Sequence, residues 1–214
     1  MALGLQAVVE ASTAEELSME ITAHLWLRWA EIAIDQALTA RRVRSEPVQP
    51  GGGKIPGSVV REFQASMCAV AAASFSLDAL FGSTGVPPSI RKWWPGKRPN
   101  RPTAIREALK RAFDTGPVNT TWVAEFSWLF DLRDAAVHAE AVPKPSRLHP
   151  RGMRTAQEHV DYSAESAARA VELALGVLLW CIDHPKRGVP EAVRWAEAHR
   201  AGVAGLEKRW FQVA

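Results

Sequence analysis

Cysteine is nearly missing from this chain. Cys68 and Cys181 are its only two, too few in 214 residues for a disulfide framework, and both fall in apolar helical stretches. Buried free thiols and a reducing, cytoplasmic setting are the expectation. Net charge is also scarce. Lys and Arg number 26 against 23 Asp and Glu, leaving a formal +3 that does not by itself imply a nucleic-acid partner. An unbroken apolar run long enough to cross a bilayer is lacking as well. The most apolar stretch, residues 171–182, is interrupted by Glu172 and falls short of roughly 20 residues, so it is read as a core helix and no membrane partner is expected. The first residues show no basic start ahead of an apolar core, and Glu10, Glu15, Glu16 and Glu20 come early. Solenoid repeats, low-complexity tracts and sustained period-two alternation are missing too. These absences exclude a membrane span, a disulfide scaffold and a sheet protein.

What is present is helical periodicity in a chain long enough for one domain. Ser12-Thr-Ala-Glu15 is a capping box, and behind it Leu17, Ile21, Leu25, Trp29 and Ile32 predict an amphipathic helix to about Arg44. Residues 47–57 read as a flexible connector. A second helix is expected over about 58–81, with Val59, Phe63, Met67, Val70, Phe75 and Leu77 as its core. An irregular stretch reaches Pro102, and a short helix covers 103–113. A fourth helix runs over about 120–140, with Trp122, Phe126, Leu129, Phe130, Leu132 and Val137 apolar, until Pro143 and Pro145 forbid its continuation. After a polar loop, a fifth helix spans about 161–183, and Pro190 opens a sixth at its favoured first-turn position. The predicted fold is all-α, an up-and-down bundle of five or six helices. Its parts are an N-terminal helix and connector (1–57), a helical core (58–184) and a C-terminal accessory helix (185–214).

Chemistry-bearing residues collect at the end of the fourth helix, in the segment LFDLRDAAVHAE (129–140). Asp134 and His138 are four apart, so they lie about 40° apart around a helix and one turn along it. Exposed carbonyls at a helix C-terminus favour a cation at His138, and the long stem of Arg133 can lean towards it. An imidazole that moves protons, a guanidinium that grips phosphate and an orienting carboxylate are what metal-free RNA cleavage requires. One helix supplies one such histidine, so a symmetric dimer would complete the site. The Arg-to-His spacing alone decides little, because it recurs at Arg154/His159 and Arg194/His199. A solvated charge cluster gives the same pattern. The setting separates the first instance, since only Arg133 and His138 close an apolar helix.

LRDAAVH, followed by a polar loop and then DYSAESAARAVELALGVLLW, resembles the HEPN family of small bacterial and archaeal helical domains. The resemblance spans about residues 58–184. It implies a homodimer whose paired Arg and His residues line one cleft, and a metal-independent endoribonuclease in a toxin–antitoxin or antiphage role. Arg133 would contact phosphate, His138 would serve as acid and base, and Asp134 would orient. It also implies RNA as substrate, no cofactor, and a possible cognate antitoxin or regulatory protein as partner. A catalytically silent HEPN-like module that binds RNA or protein is the competing expectation.

Two basic stretches could hold RNA. One contains Arg91, Lys92, Trp93, Trp94, Lys97 and Arg98, cations around two indoles that suit phosphates and bases; the plainer reading makes the tryptophans loop anchors. The other, Lys144, Arg147, Arg151 and Arg154, follows the motif directly. A metal site of His138, His149 and His159 matches no common ligand spacing. GGGK (51–54) lacks the Gly-Lys-Ser/Thr and following helix of a phosphate loop. No helix-turn-helix with a basic recognition helix is evident.

Overall fold

A computed structural model describes residues 24–48, 55–83, 99–114, 116, 121–138 and 144–213. The capping box at Ser12, the GGGK stretch and the basic tryptophan segment from Arg91 to Arg98 lie outside these residues. Seven helices are described: α1 (Leu25–Ser45), α2 (Gly57–Ser83), α3 (Arg101–Ala112), α4 (Thr121–Val137), α5 (Gln157–Asp161), α6 (Ala164–Asp183) and α7 (Pro190–Val213). Between α4 and α5, β1 (Arg147–Leu148) and β2 (Arg154–Thr155) pair antiparallel, Arg147 opposite Thr155 and Leu148 opposite Arg154. The chain is an all-α bundle, as its periodicity predicts. The small hairpin was not expected, since two residues per strand are too few to show alternation.

Local chemistry sets the helix ends. Asn100 caps α3 by accepting the Thr103 N–H at 3.1 Å, with Pro102 in the first turn. Ser163 caps α6 by accepting the Ser166 N–H at 3.4 Å. Pro190 opens α7.

Helix α2 is the hub, packing on α1, α4 and α6; α6 also meets α1 and α7, and α7 returns to α1. The expectation that no run is long enough to cross a bilayer is corrected: among the described helices α2 alone is long and apolar enough by length and composition. Its Val59, Val70, Leu77 and Leu80 are buried inside the bundle.

The stripe expected on α1 is corrected. Leu25 is 58% exposed and Ile32 42%, while the buried face is Trp26, Ala30, Ala33, Ile34, Ala37, Ala40 and Val43. Two stripes of helical spacing run side by side on α1. The small-residue one wins because α2 answers with Ala65, Ser66, Ala69, Ala72, Ala73 and Ser76. Short side chains let backbones approach and gather dispersion contacts. The Ser76 hydroxyl bridges the two helices by donating to the Trp26 carbonyl at 2.9 Å.

Two further expectations change. Cys68 is exposed, on the outer side of α2; Cys181 is buried, and burial pushes its thiol pKa far up. Val137 is 60% exposed, because the last turn of α4 passes beyond the apolar neighbours that cover Phe126, Leu129 and Phe130.

Candidate functional site

The end of α4 presents the three motif residues differently from expectation. Arg133 turns its guanidinium onto its neighbour, donating from Nε and Nη2 to Asp134 Oδ1 at 2.9 and 2.5 Å. The same group lies 4.8 Å from the Phe130 ring centroid, with Nη1 4.0 Å from Asp78 Oδ2. Asp78, on α2, in turn accepts from Nε of Arg101 at 2.6 Å and from its Nη2. A line of alternating charge, Arg101–Asp78–Arg133–Asp134, thus ties α3 and α2 to the end of α4.

His138 is exposed just past the helix. Its backbone N–H donates to the Asp134 carbonyl at 2.8 Å, and its ring has no hydrogen bond or ion pair among the described residues. The expected Asp134–His138 pair is therefore replaced by Asp134–Arg133. A charged fork offering two donors outcompetes a single imidazole N–H for the same carboxylate. The position of the helix end is fixed from α6: Tyr162, just before its N-cap, donates its hydroxyl to the Leu132 carbonyl at 2.6 Å. Burial, with help from Asp161 and Glu158, pushes the Tyr162 phenol up to about 12.

The basic loop divides into surface and interior. Arg147 and Arg154 are exposed on the hairpin, and Lys144 is exposed but paired with Glu158 at 3.2 Å. Arg151 is not a surface cation. Its side chain is 5% exposed and its guanidinium is spent internally. Nη1 donates to Ser58 Oγ at 2.7 Å, and Nη2 donates to the Glu46 carbonyl at 3.2 Å and to those of Val43 and Arg44. These carbonyls end α1, where a cation satisfies acceptors that the helix leaves open.

Beneath Arg151 lies Glu62, whose side chain is fully buried. Arg44 grips its carboxylate from Nε at 2.9 Å to each oxygen and from Nη2 at 2.5 Å to Oε1. The Ala164 N–H donates to Oε1 at 3.0 Å, so Glu62 also serves the open amides at the start of α6. Arg44 reaches on to Glu165 at 2.5 and 2.7 Å. His149, 1% exposed, completes the cluster with Nε2 3.9 Å from Glu62 Oε1. Burial holds the His149 pKa below its ordinary value; Glu62 acts against this and the Arg44 and Arg151 charges act with it.

Sequence reasoning missed this cluster, although one signal was there. Val59, Glu62, Ser66 and Ala69 are spaced 3, 4 and 3 apart, which sets a carboxylate on the buried stripe of α2. A carboxylate so placed requires cations.

The three histidines considered as a metal set take separate surroundings. His138 is exposed, His149 sits on Glu62, and His159 lies 4.8 Å from the Phe63 ring with its pKa lowered by burial. Among the described residues no group of three or more His, Cys, Asp or Glu converges as a metal site. An open groove of about 600 Å³ runs along α1, lined by Asp35, Leu38, Thr39, Arg41, Arg42 and Ser45, none of them a candidate residue. No family model, curated protein or solved structure matches this chain.

Proposed function

We propose that the chain is a HEPN-like endoribonuclease that cleaves RNA without a metal at a cleft shared by two copies of α4. The observation carrying this reading is the placement of two side chains at the end of that helix. An exposed His138, with no ring partner among the described residues, follows five residues after a guanidinium held in place by Phe130, Asp78 and Asp134. The exposed Arg147 and Arg154 come next along the chain and suit the flanking phosphates of a strand.

The chemistry needs two imidazoles in opposite protonation states. One His138 removes the proton of a ribose 2′-hydroxyl, and the 2′-oxygen attacks the adjacent phosphorus. The bond from phosphorus to the 5′-oxygen breaks, and the His138 of the second copy protonates that leaving oxygen. The products are a 2′,3′-cyclic phosphate and a free 5′-hydroxyl. Arg133 stabilises the charge growing on the phosphoryl oxygens. For that it exchanges Asp134 for phosphate, and the released carboxylate comes within reach of His138, four residues on. A toxin or antiphage role follows only from the family resemblance.

A second reading has its own support. Because Asp134 already occupies the Arg133 fork, a silent HEPN-like module that binds RNA or a protein partner fits the resting geometry. The two part in one assay. Purified protein in excess chelator should cut single-stranded RNA to cyclic or 3′-phosphate ends, and His138→Ala should abolish the cutting while the circular dichroism spectrum and the dimer mass by light scattering persist. Full activity in the variant sinks the catalytic role of His138, a strictly monomeric native protein removes the shared cleft, and binding without cleavage selects the silent module.

A further inference from the structure

The Glu62 cluster does more than fill the core: it is the attachment point of the hairpin, and it contains a histidine, the side-chain type whose ordinary pKa lies nearest neutrality. We propose that the hairpin from Arg147 to Thr155 is a proton-released clasp, unlatched from Glu62 when His149 gains a proton.

The geometry leaves the imidazolium nowhere to bond. His149 Nδ1 accepts the Arg151 N–H at 3.2 Å, so a proton placed there would face another donor. Nε2 is 3.9 Å from Glu62 Oε1, beyond hydrogen-bond reach. Both Glu62 oxygens are already taken by Arg44, and Oε1 also by the Ala164 N–H. The charges facing the ring are Arg44 from α1, Glu62 from α2, Glu165 from α6 and Arg151 from the hairpin itself. Two guanidiniums balance two carboxylates, and a third cation upsets the balance. Besides this cluster the hairpin is held by the Arg151 hydrogen bonds to Ser58 and to the end of α1, while its own ladder is only two residues per strand. Release frees Arg151 from the end of α1 and adds a third cation to Arg147 and Arg154.

The sign follows from burial. A neutral ring is favoured in the closed state, so the contribution of His149 is complete above its ordinary pKa of 6.5 and is lost as pH falls from there towards its lower folded value. Amide hydrogen exchange on the full chain, corrected for intrinsic rates, tests this between about pH 7.5 and about pH 5. The amides to follow are His149, bonded to the Met153 carbonyl at 2.7 Å, and Gly152, bonded to the His149 carbonyl at 2.8 Å. Their protection should fall by up to about tenfold per pH unit below 6.5, while amides inside α1 and α2 keep theirs. His149→Asn retains an acceptor for the Arg151 N–H, as asparagine does in tight turns, yet has no proton to gain. Its hairpin protection should not depend on pH. A flat profile in the native protein, or the native slope in the variant, overturns the proposal. Should the variant not fold, the His149 ring resonance titrated in the native protein decides, and a hairpin that opens at a midpoint other than that of His149 overturns it. These readouts need no RNA, so they stand or fall apart from the ribonuclease reading.

Discussion

At the scale of single residues, a charge that is fully buried is more consequential than one at the surface. Arg28–Glu31 or Arg61–Glu46, exposed ion pairs, contribute little because water and salt screen them. Glu62 is different, since its carboxylate has no exposure and depends on the protein groups around it for its hydrogen bonds. Glu62→Ala would leave the buried Arg151 without a facing carboxylate, reduce Arg44 to its pair with Glu165 and leave the Ala164 N–H without its acceptor. We expect a loss of about 3–5 kcal/mol in urea unfolding; a loss under about 1 kcal/mol would show the cluster to be a bystander. This residue was legible only as an oddity of spacing. The motif residues were legible by type and position, but their partners were not. Whether Asp134 turns towards Arg133 or His138 is settled by rotamers and by Asp78 on another helix, which no local pattern reveals.

At the scale of elements, Pro190 marked the start of α7 in the sequence, whereas the caps at Asn100 and Ser163 became evident only in the structure. The sequence misjudged which side of α1 is buried. Large apolar residues attract the eye, whereas the contact is made by alanines whose importance depends on what α2 presents. Close approach matters again where the turn after α3 meets α6. A Cβ on Gly116 would fall 2.1 Å from Cζ2 of Trp180, an indole stacked on His184 and bonded through Nε1 to the Asp114 carbonyl at 2.9 Å. Gly116→Ala should therefore displace either the turn or the indole and cost about 1–3 kcal/mol. Thermal melting monitored by tryptophan fluorescence would register it, and an unchanged melting temperature would mean that the turn relaxes freely.

At the scale of the whole molecule, the fold class was readable and the role of the last helix was not. The sequence suggested that residues beyond 184 are an accessory. In the structure Trp195, Val203, Leu206 and Trp210 of α7 belong to the same buried cluster as Trp26 and Ile34 of α1. Burying each such large side chain stabilises by roughly 1.5–3 kcal/mol, and the total stability of a domain is only about 5–15 kcal/mol. A chain ending at Gly188 should lose cooperative unfolding in circular dichroism. A cooperative melt near the native temperature would restore α7 to accessory status. Long-range pairing of this kind is invisible to periodicity, because an amphipathic helix looks alike whether it joins the central core or only leans on it.

The chain contains a single tyrosine, and its hydroxyl rests on the carbonyl of the residue before Arg133. That makes Tyr162 a resident spectroscopic label for the end of α4. The NMR resonances of its phenol ring report one position in the molecule, with no second phenol to confuse the signal. Anything that rearranges Leu132 and Arg133, whether a strand of RNA, a partner copy or a bound protein, changes the environment of that label. Occupancy of the proposed site can thus be followed in the native chain without attaching a dye.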